Sequence, residues 1–107
     1  MELVFKALAD NTRRALLDAL HEQNGQTLNE LCERFDMTRP AVAKHLAILE
    51  AAKLVVPIWR GREKQHYLNP EPLQAIHERW MGKFDRQRAQ ALGNLKRALQ
   101  ASKEKSS

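Results

Sequence analysis

The chain of 107 residues has a single cysteine, Cys32. One thiol excludes an internal disulfide and suits a reducing compartment. No apolar run approaches the roughly 18 residues that span a membrane. The opening segment, MELVFKALAD, is too short and too charged for a signal peptide. A cytoplasmic protein without a membrane partner is therefore expected. Catalytic signatures are missing as well. There is no glycine-rich phosphate loop, no Gly-x-Ser-x-Gly and no constellation of paired carboxylates. Neither an enzyme nor a cofactor is expected. The histidines, His21, His45, His66 and His77, lack paired ligand spacing, so no metal site is expected. Internal repeats and interdomain linkers are absent too, which fits one domain over residues 1–100.

What is present is positive charge, and it is unevenly placed. The net charge is +5 and the pI about 9.7. Such a balance suits a polyanion, either nucleic acid or a membrane surface. Between Arg34 and Asn69, seven Lys and Arg stand against three Asp and Glu. Most of the surplus thus lies on one segment.

Hydrophobic spacing and capping residues predict the elements around that segment. Leu3, Val4, Ala7 and Leu8 mark a short first helix. Asp10 caps a second, which runs to about Glu22 with Ala15, Leu16, Leu17, Ala19 and Leu20 on its apolar stripe. Asn24-Gly25 ends it. Thr27 and Glu30 form a capping box that opens a third helix, through about Arg34, with Leu28, Leu31 and Cys32 or Phe35 inward. Thr38 caps a fourth, with Pro40 in its first turn, to about Ala52. Then the period changes to that of strands. Val55 to Trp59 and Lys64 to Leu68 flank a turn at Arg60-Gly61-Arg62-Glu63, with Pro57 confining the first strand to an edge. A long helix follows over about 72–100, and residues 101–107 read as a frayed polar tail.

Two short helices joined by a tight turn, then a basic ribbon, form the layout of a winged helix-turn-helix. The predicted class is mainly α, five helices and a β-hairpin wing. The fourth helix carries Val42, Leu46 and Leu49 on one face and Thr38, Arg39, Pro40, Ala43 and Lys44 on another. An α-helix fits the major groove of DNA. Arg39 can grip a guanine with two hydrogen bonds, and Ala43 can touch a thymine methyl. Lys44 and His45 can reach bases or phosphates; a structural hydrogen bond is an equal reading for His45. Arg60, Arg62 and Lys64 crowd around Gly61, and such crowding repels unless phosphates neutralise it. The predicted partner is a double-stranded DNA operator.

The last helix would span about 40 Å at 1.5 Å per residue, more than so small a domain covers. Its apolar stripe includes Leu73, Ile76, Trp80, Phe84 and Leu95. With Leu3 of the first helix, these residues predict a homodimer through the terminal helices.

The run FKALADNTRRALLDAL, then TLNELCERFDMTRPAVAKHLAILEAAKLV, then RGREKQHYL resembles the ArsR-like (ArsR/SmtB) bacterial transcriptional regulators over about residues 4–70. The resemblance implies a dimeric winged-helix regulator, usually a repressor. By position it implies a reading surface at Thr38, Arg39, Pro40, Ala43, Lys44 and His45, and a wing tip at Gly61 and Arg62. Arsenic-sensing members carry Cys-x-Cys in a Glu-Leu-Cys-x-Cys setting; here Glu30-Leu31-Cys32 is followed by Arg34. Zinc-sensing members place ligand pairs on the last helix, where this chain offers His77 alone. The second helix begins Asp10-Asn11 where Asp-Pro is common. The long last helix is similar to that of the family's non-metal autorepressors. Three other readings share these residues: a metal or thiol switch at Cys32, a small-molecule sensor, and a winged-helix module that binds protein. No residue pattern specifies an inducer.

Overall fold

The structure, a computed structural model, describes residues 1–106, with side chains described as far as Lys103. Two compact units divide it, one over Met1–Leu73 and the other from Gln74 onward.

The first unit begins with α1 (Glu2–Leu8) and α2 (Asn11–Glu22). Asp10 caps α2 by accepting the Arg13 N–H at 3.0 Å. A two-residue strand, β1 (Gln26–Thr27), leads into α3 (Leu28–Arg34). The predicted capping box forms in both directions: Thr27 Oγ1 accepts from Glu30 N at 3.2 Å, and Glu30 Oε1 accepts from Thr27 N at 3.3 Å. Thr38 opens α4 (Arg39–Ala51), and the hairpin of β2 (Val55–Arg60) and β3 (Glu63–Leu68) follows.

The apolar faces read from the sequence meet here. Leu16, Leu20, Leu31, Val42, Leu49, Leu54 and Val55 are fully buried. Val4, Ala7, Leu17, Ala19 and Leu46 join them, while Leu3 is exposed. Cys32 and Phe35 are only half-buried.

The sheet is antiparallel with order β1-β3-β2. The hairpin is legible in the sequence and β1 is not, because two residues carry no periodicity. β1 pairs with the centre of β3, Gln26 opposite His66. Gly25, at φ +80°, makes the bend before it; a Cβ there would come within 3.0 Å of the Tyr67 ring. At the other end of the sheet, Gly61 alone of the two turn residues has positive φ, the pattern of a type II′ hairpin. Pro57 sits in β2, an edge strand. A residue without an N–H is tolerated there when its nitrogen faces away from β3.

The exit from α4 is a Schellman motif. Leu54 N donates to Leu49 O and Lys53 N to Glu50 O, both at 3.0 Å. Lys53 takes the left-handed conformation, φ +64°, that glycine usually occupies. Leu49 and Leu54, both fully buried, form the apolar contact of the motif. Asn69 Nδ2 donates to the Lys53 carbonyl at 2.8 Å and braces the bend.

The helix α5 (Glu71–His77) leads into the second unit. There the single long helix predicted for this region is interrupted by a π-helical segment, Glu78–Gly82, before α6 (Lys83–Ser106). His77 and Lys83 keep right-handed helical angles, so the backbone stays helical through the segment. The polar residues expected to fray from Ala101 continue α6 as far as Ser106; Ser107 lies outside the described residues. Ala, Lys and Glu, four of the six residues over 101–106, are good helix formers, which accounts for the extension. Among the described residues no helix is long and apolar enough to cross a membrane.

Because a lysine pays a steric cost in the left-handed region, Lys53→Gly is expected to raise stability by about 0.5–1 kcal/mol. Urea unfolding of the two proteins at neutral pH measures it. Equal or lower stability in the glycine variant would show that the Asn69 brace, not φ, governs this bend.

Candidate nucleic-acid interface

The start of α3, one flank of α4 and the inner face of the wing enclose a groove. Its volume is about 330 Å³, and Arg39, Ala43, Glu50, Trp59, Arg62 and Lys64 are among its lining residues. The position of α4 follows from its caps and its core. Thr38 Oγ1 accepts from Ala41 N at 3.3 Å, and Val42, Leu46 and Leu49 are buried on the inner side. This leaves Thr38, Arg39, Pro40 and Lys44 exposed at the start of the helix, with Ala43 half-buried beside them. The hairpin turn places Arg60, Gly61 and Arg62 at an exposed tip, and nothing stands within 4 Å of a Cβ built on Gly61.

Charge pairing separates the cations of this region. Among the described residues, Arg39, Lys44, Arg60 and Arg62 make no hydrogen bond or ion pair. Arg34, by contrast, bonds the Glu22 carboxylate at 3.2 Å and the Ala19 carbonyl at 3.3 Å. Lys64, predicted beside the wing arginines, turns into the groove. Its Nζ lies 3.0 Å from Glu50 Oε1 and bonds Oε2 at 3.3 Å. The 3.0 Å contact is an ion pair without hydrogen-bond alignment, so Oε1, itself shielded from solvent, accepts no hydrogen bond.

Glu50 therefore joins α4 to the wing. Behind it stands His66, buried in β3, whose Nε2 is 3.6 Å from Glu50 Oε1. His66 Nδ1 donates to the Gln26 carbonyl at 2.9 Å. That carbonyl can only accept, which places the ring proton on Nδ1. Gln26, also buried, donates to the Ala19 and Gln23 carbonyls at the end of α2.

His45 is held on the opposite flank of α4. Its Nδ1 lies 3.3 Å from an Arg13 guanidinium nitrogen. A guanidinium only donates, so Nδ1 accepts and the proton sits on Nε2. The Asp10 carboxylate lies 3.8 Å from the same ring nitrogen. The Arg13 contact is a bond of the structural kind that the sequence left open for His45, with a side chain and not the backbone as its partner. Arg13 was missed in the sequence because nothing local distinguishes it. Its Nε donates to the Ala7 carbonyl at 2.8 Å and its Nη2 to the Lys6 carbonyl at 2.9 Å.

The proposed dimer residues occupy separate places. Leu3 is exposed on α1, Leu73 half-buried in the first unit, and Ile76 half-buried in the second. Trp80, Phe84 and Leu95 are exposed on the second unit, with Leu92 and Leu99 beside them in the helix. Arg79 lies over the Trp80 ring, 5.1 Å from its centre.

The Asp10 carboxyl is held below the usual carboxylate range, chiefly by the Arg13 N–H that it accepts and, less strongly, by the Arg13 charge, against a cost of desolvation. A lowered folded pKa gives stability that is present above the unfolded value of 3.8 and lost as pH falls through the folded one. Asp10→Asn keeps a capping oxygen but cannot titrate. Between pH 7 and pH 3, wild type should therefore lose more stability than Asp10→Asn in urea unfolding. Parallel losses would mean that the cap carries no linkage.

Comparisons agree with this architecture. A helix-turn-helix domain family matches residues 8–58. An HTH-type transcriptional regulator of Bacillus subtilis, YuzN, is 42% identical over 86 residues, covering 75% of this chain and 94% of that one. The transcriptional repressor SdpR of the same organism is 35% identical, covering 69% and 81%. The arsenical resistance operon repressor of Escherichia coli is 28% identical, covering 83% and 78%. Among solved structures, an ArsR-like transcriptional regulator from Rhodococcus sp. RHA1 superposes with a TM-score of 0.71 at 29% identity, covering 94% and 90%. A crystal structure of an ArsR family regulator gives 0.67 at 34% identity, covering 79% and 86%.

Proposed function

The chain belongs to the ArsR family of winged helix-turn-helix transcriptional regulators, and on that premise we propose that it is a cytoplasmic homodimeric repressor of an inverted-repeat operator. The observation that carries the reading is the set of four unpaired cations, Arg39 and Lys44 on α4 and Arg60 and Arg62 on the wing. Two of them, Arg39 and Arg62, line the same groove, and exposed like charges repel until an anion neutralises them. A duplex supplies phosphates, and basic residues that neutralise them release counterions.

The roles divide by reach. Arg39, in the first turn of α4, reads a base edge, with a guanine the best match for its two-pronged donor. Thr38 and Pro40 set the approach of that turn, and Ala43 admits the groove wall closely. Lys44 reaches a phosphate or a neighbouring base. Arg60 and Arg62 hold phosphates, with Gly61 between them leaving room at the tip. Lys64 acts indirectly by neutralising Glu50, and His45 by fixing α4. Two relatives that are themselves repressors, SdpR and the arsenical resistance operon repressor, support repression. A thiolate switch of the arsenic-sensing kind fits poorly: Arg34, tied to Glu22 and Ala19, occupies the position of a second thiol.

Two copies are supported by the apolar stripe of the second unit. Phe84, Leu92, Leu95 and Leu99 are each more than half exposed. Burying one such side chain contributes roughly 1.5–3 kcal/mol, so a partner covering several of them forms a stable pair. The operator then holds two inverted half-sites about one helical turn apart, or a multiple of it.

Arg39→Ala is expected to cost about 1–3 kcal/mol on the operator and to relax base preference. Arg62→Ala should weaken operator and random DNA alike and reduce the salt slope by about one. Lys64→Ala should weaken binding less than Arg62→Ala. Titrations of labelled duplexes at several salt concentrations measure all three. Binding of wild type that does not respond to salt contradicts the phosphate roles.

Phe84→Glu combined with Leu95→Glu should yield monomers with greatly reduced operator affinity. Sedimentation at micromolar concentration decides it, and a wild type that sediments as a monomer refutes the dimer.

A further inference from the structure

Trp59 is unexplained by the fold. At 64% it is the most exposed large apolar side chain among the described residues. It lies on the same side of β2 as the buried Val55, opposite Lys64 of β3. That side forms the wing wall of the groove, and Trp59 lines it. Facing it, α4 presents Arg39 and two small residues, Ala43 and Ala47. Arg39 and Arg62, both unpaired, thus share the groove with the indole. Two carboxylates also line it, Glu63 near the turn and Glu50 deeper in. Glu50 would repel a phosphate if it were bare, but the Lys64 ion pair cancels its charge.

Resting on the DNA-binding reading above, we propose that Trp59 is a DNA contact: its indole packs against a deoxyribose while Arg62 engages a flanking phosphate and Arg39 the adjoining base edge, so that the groove clamps one strand of the duplex. The choice of occupant rests on charge and polarity. A sugar–phosphate strand alternates anionic groups with uncharged, largely apolar rings. The groove alternates unpaired guanidiniums with an indole. A purely apolar occupant would leave both arginines unanswered, and a simple anion would leave the indole wet. Ala43 and Ala47 keep the opposite wall low enough for a strand to enter. The contact is uncharged and indifferent to base identity. It strengthens binding without adding to the salt dependence, since only neutralised phosphates release counterions.

The test compares wild type, Trp59→Ala, Trp59→Phe and Arg62→Ala on operator and random duplexes. Trp59→Ala should weaken both about tenfold, within the range of truncated aromatic contacts to nucleic acid, and leave the salt slope unchanged. Arg62→Ala should lower that slope. Trp59→Phe should recover most of the affinity. Tryptophan emission should change when DNA is added to wild type, and this change should be absent from Trp59→Phe. Thermal unfolding of Trp59→Ala should match wild type, because the residue supports no core.

Binding by Trp59→Ala within twofold of wild type, or equal emission changes in wild type and Trp59→Phe, overturns the inference while leaving the regulator reading intact if Arg39→Ala still fails on the operator. A reduced salt slope in Trp59→Ala also overturns it, because the loss would then come from a displaced guanidinium. Failure of wild type to bind any duplex at low salt removes the DNA reading itself.

Discussion

Arg13 is the residue on which the arrangement of helices in the first unit depends. One guanidinium accepts duty at three places. It closes the end of α1 through the Lys6 and Ala7 carbonyls, and it reaches His45 on α4. Its own backbone N–H meets the Asp10 cap at the start of α2. A seven-residue helix such as α1 has too few internal bonds to persist alone. Its last carbonyls lack internal partners, and Arg13 supplies them, with Arg14 adding a bond to Leu8. Apolar burial brings the helices together, but it is non-directional. The bonds from Arg13 add direction to that packing: two tie it to α1, and one reaches α4 at His45.

The second polar node works on the other flank of α4. Glu50, Lys64, His66 and Gln26 link α4 to the sheet and the sheet to the end of α2. His66 and Gln26 are buried, so each bond they lost would leave a polar group unsatisfied in a medium of low dielectric. Helix and wing are thereby referred to one frame. The spacing between Arg39 and Arg62 is a property of that frame and not of either element alone.

Local chemistry made much of this legible in the sequence. Asp10, Thr27 and Thr38 each cap the helix that they announce, because a cap is decided by residues three positions apart. Gly25 and Gly61 mark bends that need positive φ. Val42, Leu46 and Leu49 face the core because helical period leaves them no other choice. What was not legible depends on partners far along the chain. β1 exists only because β3 lies beside it. Arg13 meets His45 across 32 positions and Lys64 meets Glu50 across 14, and neither spacing leaves a local trace. Lys53 stands where propensity asks for glycine, and the π-helical segment after His77 has no signature in hydrophobic period.

Pro57 has a consequence for how the protein behaves when crowded. The outer strand of the wing is flanked by exposed Val56, Ile58 and Trp59, a composition that invites strands of other molecules to add on. Edge-to-edge pairing of this kind is a route to aggregates. A proline nitrogen has no hydrogen to offer, so a row of donors along that edge is broken near its middle. Arg60 at the end of the strand adds a charge that a second copy would have to approach. The wing can thus keep apolar side chains in the open while remaining a poor template for its own kind.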